Sequence, residues 1–451
     1  MSLRSESGCA HVERSAGYAW YVVIVLLVAG ITSYLDRNIL FLLVDPIRAT
    51  LGLSDTQISL LEGMAFAFFF ITLGLPLGGL VDRRNRRNLI IAGVLIWTLM
   101  TFACGLARNY QELFLARMGV GFGEAILGPA AYSIIGDYFR PRNRARAASV
   151  YNMSNFLGGA LAALVGGAIV HAIGALTVIS LPVLGGTVGW RAVFFVAATP
   201  GIAVALLVLT IAEPPRRETA DIAPSSAGFW RHLSAHRRAY AFVYSTYVAA
   251  TFVGLSTAAW QPSYLIRTFG LTPGRAGMLI GGVGFAALLG AFASGWLSDH
   301  FVGRATAGRF RTPLVGWPIL AISIPAHLLA PNLPMALLFS AIASIGAAII
   351  LVSCPPVLQD ITPNAYRGRA QALFFICSIT MGMGIAPTAV ALVTDHVLGD
   401  PAKVRYALLI VQVPVLAIGW LLCRAGQRHY TQARATMLAV APSASTSPSA
   451  A

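Results

Sequence analysis

Charged residues are scarce in this sequence of 451 residues. Asp, Glu, Lys and Arg together make up 11% of it, whereas hydrophobic residues make up 57%. An ordinary soluble domain contains about 25% charged residues, because its surface must stay in contact with water. The shortage of charge excludes a soluble globular fold of this length and predicts a polytopic membrane protein embedded in the lipid bilayer.

Several patterns that would carry chemistry are also missing. The sequence has no GxxxxGK[ST] loop and no HExxH motif, and its only histidines at i,i+4 spacing, His232 and His236, lie in an Arg-rich stretch. The five cysteines form no CxxC pair and no zinc-like spacing. We therefore expect no cofactor, no metal site and no enzymatic activity. The alternative outside transport is a membrane-embedded enzyme, which would need a nucleophile with its base, or metal ligands, near one interface.

Lysine is almost absent, since Lys403 is the only one, and arginine supplies nearly all of the positive charge behind the net charge of +15. The arginines stand in short clusters between apolar runs, without the interleaved polar surface of a nucleic-acid binder, so no nucleic acid partner is expected. With the N-terminus in the cytoplasm, most of these residues fall on the cytoplasmic side, as the positive-inside rule requires. We expect a multi-pass protein of the bacterial inner (plasma) membrane with both termini in the cytoplasm.

Apolar runs long enough to cross a hydrocarbon core of about 30 Å, which takes roughly 20 residues, number about twelve. They cover residues 18–43, 57–80, 88–107, 111–136, 146–172, 190–212, 240–266, 275–298, 312–330, 333–358, 368–394 and 404–424. The fifth run has the least definite end, because the chain continues apolar there with Gly and Pro. The predicted fold is an all-α membrane protein with twelve transmembrane helices.

An internal repeat divides these helices into two halves. The segment GGLVDRRNRR at 78–87 recurs in reduced form as SGWLSDHFVGR at 294–304, and RPRNRARA at 140–147 is echoed by TPNAYRGRA at 362–370. The first match aligns Asp82 with Asp299 at an offset of 217, and the second aligns Arg146 with Arg369 at an offset of 223. Two matches at nearly one offset indicate related six-helix halves. The predicted division is a cytoplasmic N-terminal tail at 1–17, an N-terminal half at 18–212, a cytoplasmic linker at 213–239, a C-terminal half at 240–425 and a disordered cytoplasmic tail at 426–451.

Four ionisable residues lie inside two predicted helices: Asp36 and Arg37 in the first, Arg117 and Glu124 in the fourth. Each costs at least about 2.5 to 3.5 kcal/mol in the membrane, so each needs a partner or a wet cavity. Arg117 and Glu124 are two helical turns apart and face the same way. Counting along the helices places Asp36 at the depth of Arg117, with Glu124 deeper toward the cytoplasm, and this predicts a pair between Asp36 and Arg117.

These charges suggest a proton-coupling site. Burial disfavours an ionised carboxylate and a nearby arginine favours it, so a small rearrangement can tip the balance. The hypothesis is that Asp36 and Glu124 exchange protons, while Arg37 and Arg117 pair with them or hold an anionic substrate group. Protons fit better than sodium, because the acids stand beside arginines rather than neutral oxygen ligands. The alternative is a salt-bridge network that only fixes helix packing, and Arg37 could instead reach backbone carbonyls.

The second half has no comparable acid. In STAAWQPSYLIR, Pro262 can unwind the seventh helix and expose its backbone to a cavity. Trp260, Gln261 and Tyr264 beside it are candidate substrate contacts, although helix packing is an equally good interpretation. The cavity would then be charged on one wall and largely apolar on the other, which suits an amphiphile with an ionic head.

The loop after the second helix resembles the signature loop of the major facilitator superfamily, GxLxDRxxRR, with Asn85 where glycine is usual. Its matching residues here are Gly78, Leu80, Asp82, Arg83, Arg86 and Arg87. The resemblance covers essentially the whole chain and implies alternating access. It also implies a cytoplasmic gate that latches the two halves, in which the loop acts with Arg146, Asp299, Arg304 and Arg369. A loop that only sets topology would explain these arginines but not the glycine and Asp82 together.

Within that superfamily, YLDRNILFLLVDPIRATLGLSDTQISLLEGMAFAFFF and LARMGVGFGEAILGPAAYSIIGDYF resemble the Spinster-like transporters. The anion:cation symporters share the Asp-Arg pair of the first helix and the GEA triplet of the fourth. The Spinster-like resemblance implies a proton-coupled secondary active transporter of an amphipathic or anionic small molecule, in which Asp36, Arg117 and Glu124 match functional positions. The alternative is an organic-anion:proton symporter of the kind that takes up sugar acids. We expect the protein to function as a monomer.

Overall fold

The computed structural model describes residues 16–139, 141–175, 177–181, 185–215, 226–304, 307–363 and 366–440. Helix dominates because backbone groups in hydrocarbon must be hydrogen-bonded within their own segment. Ten helices of the described chain are long and apolar enough to cross a membrane. The helical segments at 55–83 and 312–328 complete twelve spans. The protein is therefore an all-α multi-pass membrane protein.

The first half contains six spans. Its helices are α1 (Ala16–Leu42), α2 (Val44–Leu51), α3 (Asp55–Ser59), α4 (Ala65–Arg83), α5 (Arg86–Leu106), α6 (Tyr110–Glu124), α7 (Leu127–Tyr138), α8 (Pro141–Ile173) and α9 (Gly189–Leu209). The second span joins α3 to α4 through a π-helical turn at Leu60–Met64, and the fourth span comprises α6 and α7. The short α2 lies in the connection between the first two spans.

The connection between the fifth and sixth spans contains the two β-strands found among the described residues. Strand β1 (Val178–Leu181) pairs antiparallel with β2 (Gly185–Val188), and Val178 stands opposite Val188. This strand pair lies in the apolar stretch beyond the fifth run, and α8 ends before it at Ile173.

The second half repeats the six-span arrangement. Its helices are α10 (Ser226–Ala235), α11 (Arg237–Phe269), α12 (Pro273–Gly284), α13 (Ala286–Arg304), α14 (Thr312–Leu328), α15 (Leu333–Val352), α16 (Cys354–Asp360), α17 (Arg367–Ile379), α18 (Ala386–Leu392) and α19 (Val404–Val440). The eighth span comprises α12 and α13, and the tenth comprises α15 and α16. The eleventh joins α17 and α18 through a π-helical segment at Thr380–Ile385 and ends in a second one at Val393–Leu398.

One detail of the sequence prediction needs correction. Residues 426–440 are not disordered, because α19 continues to Val440 and packs there: the Tyr430 hydroxyl donates to Asp360 at 2.8 Å, and the Gln427 amide donates to the Phe310 carbonyl at 2.7 Å. The predicted linker contains the helix α10. The predicted tail segments 1–15 and 441–451 lie outside the described residues.

The two sides of the bundle can be named from its ends. The side on which α1 begins and α19 ends is called the terminal side here, and the opposite side, where α1 ends at Leu42, is called the far side.

The fifth span of the first half crosses the eighth span of the second half where Gly167 faces Gly274 and Gly277. Small residues at such a crossing allow two helix backbones to touch.

Candidate functional site

The first and fourth spans bring their charged residues together inside the bundle. The Arg37 guanidinium forms a salt bridge with Glu124, and its Nε lies 3.2 Å from Glu124 Oε2. The Ser33 hydroxyl donates to the same oxygen at 2.7 Å. Ser33 lies about one turn from Arg37 toward the terminal side, so one face of α1 binds Glu124 through two side chains. The Glu124 side chain is only 1% exposed.

Arg117 makes a different contact from the one that its depth suggested. Its Nη1 donates to the main-chain carbonyl of Asp36 and its Nη2 to that of Arg37, each at 3.3 Å. The predicted pair between the Asp36 carboxyl and Arg117 is therefore not formed as a hydrogen bond in this conformation. The side chain that reaches backbone carbonyls is Arg117, whereas Arg37 reaches Glu124.

Several polar atoms of this cluster are buried without a hydrogen-bond partner among the described residues. They are both carboxyl oxygens of Asp36, Glu124 Oε1 and Arg117 Nε. The Trp97 indole and the Arg117 guanidinium are among the polar groups near the Asp36 carboxyl. Buried polar groups are normally paired, so the vacant donors and acceptors mark a place that can receive a proton, a water molecule or a polar substrate group.

Aromatic rings and a glycine fix the position of Arg37. Its guanidinium lies 4.3 Å from the centre of the Phe66 ring and 5.1 Å from that of Tyr34, within the range of a cation–π interaction. Phe66 is held close because a Cβ added to Gly121 would lie 2.6 Å from the Phe66 carbonyl oxygen. The second and fourth spans therefore pack backbone to backbone beside the charged site.

One acid of this region escaped the sequence prediction. Glu62 lies in the π-helical turn of the second span, is 1% exposed, and has no hydrogen-bond partner for either carboxyl oxygen among the described residues. The rule that selected Asp36 also applies to Glu62, because it is an acid inside a predicted span.

The far side is closed by charged groups that the sequence prediction also missed. Arg267, near the end of α11, donates from Nε to Asp45 at 2.8 Å and from Nη1 and Nη2 to Asp55 at 2.7 and 2.9 Å. Asp395 of the eleventh span accepts from the Thr56 amide and hydroxyl at 2.7 and 2.6 Å. Within the described chain, the salt bridges between the halves are those of Arg267, so the halves are clamped together on the far side.

On the terminal side, Arg86 of the signature loop is buried and binds within its own half. It pairs with Asp137 at the end of the fourth span and with Glu213 after the sixth, and its Nη2 donates to the Pro214 carbonyl at 2.8 Å. Arg87 joins this group through its amide, which donates to Glu213 at 2.9 Å. The loop therefore ties the third, fourth and sixth spans together.

The second half repeats this arrangement at the offset that the sequence shows. Arg309 pairs with Asp360 at 2.7 Å, and Asp360 also accepts from Tyr430. Arg309 and Asp360 each lie 223 residues after Arg86 and Asp137. The duplicated contacts show that the two halves share a structural pattern, and not only a short sequence echo.

The other predicted gate residues make few contacts in this conformation. The side chains of Gly78 and Asp82 lie outside the described residues. Four residues have exposed side chains: Arg83, Arg146, Asp299 and Arg304. Arg304 contacts His300, and the half-buried Arg369 has one unpartnered guanidinium nitrogen. A latch between the halves on this side stays a prediction.

The candidate substrate contacts of the seventh span are buried and already bonded. The Trp260 indole donates to the Pro387 carbonyl at 3.0 Å, the Gln261 amide to the Ser340 hydroxyl at 2.7 Å, and the Tyr264 hydroxyl to the His327 carbonyl at 2.7 Å. The expected unwinding at Pro262 does not occur, because α11 is continuous through it. Trp260, Gln261 and Tyr264 therefore hold helices together in this conformation.

Twelve spans in two related halves, with charges buried between the first and fourth spans, define a membrane transporter. The sequence matches the model of the Major Facilitator Superfamily over residues 26–315 and 257–439. The chain belongs to this superfamily. Its fold and its relatives are those of transporters and not of enzymes.

The relatives fall into more than one transport class. An MFS-type efflux pump of Mycolicibacterium smegmatis is 27% identical over 409 residues, which cover 87% of this chain and 89% of the relative. A probable L-galactonate transporter of Escherichia coli is 25% identical over 298 residues, covering 62% and 61% of the two chains. A solved crystal structure is also similar to this chain: a bacterial homolog of the human lysosomal transporter Spinster in an inward-facing and occupied conformation. The TM-score is 0.77 and the sequence identity 27%, and the match covers 94% of this chain and 99% of the homolog. The chain is thus similar to Spinster-like transporters over nearly its whole length.

Proposed function

We propose that this protein is a proton-coupled secondary active transporter that moves an amphipathic or anionic small molecule by alternating access. The observation that carries this proposal is the buried charge cluster, in which Glu124 is held by Arg37 while the Asp36 carboxyl has no hydrogen-bond partner among the described residues. Two carboxyl groups in one site, one paired and one unpaired, can hold different protonation states.

The cluster supports a specific coupling step. Protonation of Glu124 would remove the negative charge that holds Arg37 and would free this guanidinium to bind an anionic substrate group or the Asp36 carboxylate. Arg117 uses two of its five N–H donors on the carbonyls of α1, and the remaining donors are available to an anion. Asp36 and Glu124 are thus proton carriers, and Arg37 and Arg117 are their charge partners.

An amphipathic substrate is supported by the second half. The amides and hydroxyls that would make its wall polar are bonded to each other: Gln261 to Ser340, and Gln412 to Ser256 and Thr257 at 2.9 and 3.0 Å. The Gln412 carbonyl oxygen has no partner among the described residues, but the amide nitrogens of Gln261 and Gln412 are both occupied. A wall that offers few free donors suits the apolar part of an amphiphile. The similarity to the Spinster homolog and to the efflux pump supports a transporter as such.

Uptake of a sugar acid with a proton is the second candidate. It is favoured by the similarity to the probable L-galactonate transporter and by the vacant donors of Arg117, which suit a carboxylate. In this case the carboxylate would occupy the same charged site.

We place the terminal side in the cytoplasm of a bacterial inner membrane, with the protein working as a monomer. The arginine clusters support this orientation, because positive charge collects on the cytoplasmic side of a membrane protein. The described arginines of these clusters lie on the terminal side: Arg83, Arg86, Arg87, Arg309 and Arg311. The clamp of Arg267 then closes the protein toward the exterior, as an inward-facing state requires.

Transport in proteoliposomes tests this proposal. Two classes of compound are supplied separately: lysolipids with sphingoid phosphates, and sugar acids with other carboxylates. We expect the pH inside the vesicles to change with one class, and that class identifies the substrate. Asp36→Asn and Glu124→Gln should each abolish the pH change. The result that would overturn the proposal is transport without any pH change in the wild-type protein.

A further inference from the structure

The second span carries a buried acid that the proton-coupling site does not use. The Glu62 carboxyl is buried, and neither oxygen has a hydrogen-bond partner among the described residues. An ionised carboxylate in this position would lack donors in a low-dielectric interior, which is strongly unfavourable. A neutral carboxyl group, which keeps its proton, avoids most of that cost.

The backbone around Glu62 seals it in the present conformation. Gly63 packs so closely on the eleventh span that an added Cβ would lie 2.0 Å from the Met383 carbonyl oxygen. Met383 lies in the π-helical segment Thr380–Ile385, so two π-helical segments of opposite halves meet at this point. Such segments often occur at functional sites. Separation of the second and eleventh spans would uncover Glu62.

Glu62 lies between the central charge cluster and the far-side clamp. It is one turn, about 6 Å, nearer the far side than Phe66, the ring on which Arg37 lies. The charges that act on it are those of Arg117 in the fourth span and, from the far side, those of Arg267, Asp55 and Asp45.

The charged groups of the surrounding elements are committed to other partners. Arg267 binds Asp45 and Asp55, and Arg117 binds the carbonyls of α1. On the eleventh span Asp395 is bound to Thr56, and on the first and fourth spans Asp36 and Glu124 belong to the central cluster. Glu62 itself forms no hydrogen bond or ion pair with an arginine among the described residues, and the Arg117 charge acts on it without direct contact.

A metal ion fits this position less well than a proton. The described residues contain no group of three or more His, Cys, Asp or Glu side chains that could hold a metal ion. The neighbouring Ser59 hydroxyl donates to the Thr56 carbonyl at 2.7 Å. Sodium and calcium take several oxygen ligands, and among the described residues no group of three acidic side chains surrounds Glu62 to supply them.

We propose that Glu62 is a third proton-binding site, which holds its proton while the far side is closed and exchanges it with the far-side solution when the second and eleventh spans separate. On opening, the O–H bond of the carboxyl breaks, the proton passes to water, and the carboxylate becomes hydrated. On closing, a proton must return before Glu62 is buried again. The inference rests on the alternating-access part of the proposed function and not on the roles of Asp36 and Glu124.

Infrared spectroscopy of the purified full-length protein at neutral pH tests the first half of this inference. The Asp36→Asn/Glu124→Gln variant removes the two central acids, and we expect the C=O stretch of a protonated carboxyl group to persist in it. Adding Glu62→Gln should abolish that band. Labelling glutamate with ¹³C in the wild-type protein should shift part of the band, which assigns it to glutamate even if the triple variant does not fold. Loss of an ionised carboxylate band on Glu62→Gln would overturn the proposal and would instead fit a bound cation.

The exchange step has its own test. Arg267→Gln removes the far-side clamp, so in this variant we expect the Glu62 band to diminish as pH is raised, whereas the wild-type band should resist the same change. Equal resistance in a variant shown to be open on the far side would contradict the exchange. A persistent Glu62 band in a protein that shows no proton-coupled transport would refute the proposed function and leave the inference about Glu62 intact.

Discussion

At the scale of single residues, the salt bridge between Arg37 and Glu124 makes the clearest energetic prediction. Removing one partner of a buried pair leaves the other charge without compensation and typically costs about 3 to 5 kcal/mol. We expect Arg37→Gln to lower the thermal unfolding temperature measured in detergent.

The matched control is the double variant Arg37→Gln/Glu124→Gln, which leaves no unpaired charge and should recover much of the lost stability. A double-mutant cycle measures this coupling. If Arg37→Gln unfolds at the wild-type temperature, Arg37 does not stabilise Glu124 in the folded protein.

The sequence identified which charges would meet but not how they would pair. The cost of charge in hydrocarbon selects Asp36, Arg37, Arg117 and Glu124 without any structural information. The pairing depends on helix rotation and on side-chain reach, which counting residues along two helices does not provide. Arg37 therefore binds Glu124, and Arg117 rather than Arg37 reaches backbone carbonyls of α1.

At the scale of elements, the contact of Gly63 with the eleventh span should limit closure of the far side. Gly63→Ala places a methyl group against the Met383 carbonyl, so the two spans must separate. We expect this variant to favour the state that is open on the far side. A cysteine introduced as Ser59→Cys, at a position that is now buried, should react faster with a membrane-impermeant maleimide.

Gly79→Ala is the matched control for this prediction. Gly79 lies in the same span, and an added Cβ would meet no atom within 4 Å. The Gly79 variant should therefore label at the wild-type rate. Equal labelling rates for the Gly63 and Gly79 variants would show that the Gly63 contact does not control closure.

The extension of α19 makes a second prediction at this scale. Tyr430→Ala removes a buried ring and its hydrogen bond to Asp360, and large-to-small changes at buried aromatic residues cost about 3 to 5 kcal/mol. We expect a lower unfolding temperature for this variant. Arg428→Ala, at an exposed position of the same helix, should leave the temperature unchanged. Equal temperatures for both variants would mean that this part of α19 does not stabilise the fold.

The order and approximate bounds of the spans follow from the sequence, because apolar length is a strong signal. The errors lie where tertiary contacts decide. Residues 426–440 are polar enough to resemble a disordered tail, but Tyr430 and Gln427 anchor them to the second half. Pro262 does not unwind α11, since a single proline removes one backbone bond and a helix can continue past it in a packed environment.

At the scale of the whole molecule, the Arg267 clamp should hold the far side closed. Arg267→Gln removes the salt bridges to Asp45 and Asp55, so the population open on the far side should rise. We expect Ser59→Cys to label at least ~10-fold faster in this background, which corresponds to a shift of about 1.4 kcal/mol.

Arg275→Gln is the control for the clamp, because Arg275 is an exposed arginine at the start of the next span. It should leave the labelling rate unchanged. Unchanged labelling in the Arg267 variant as well would show that the clamp does not determine which side is closed.

The central claim is that Asp36 and Glu124 couple proton movement to transport. The most direct measurement uses proteoliposomes and two probes, a radiolabelled lysophospholipid and a radiolabelled sugar acid. It compares the accumulation of each probe driven by a pH gradient with the exchange of that probe across the membrane without a gradient. Exchange needs the conformational cycle but no net proton movement. We predict that Asp36→Asn and Glu124→Gln abolish accumulation of the transported probe and retain its exchange. Gradient-driven accumulation at the wild-type level in both variants would contradict the account and leave the buried charges with a structural role only.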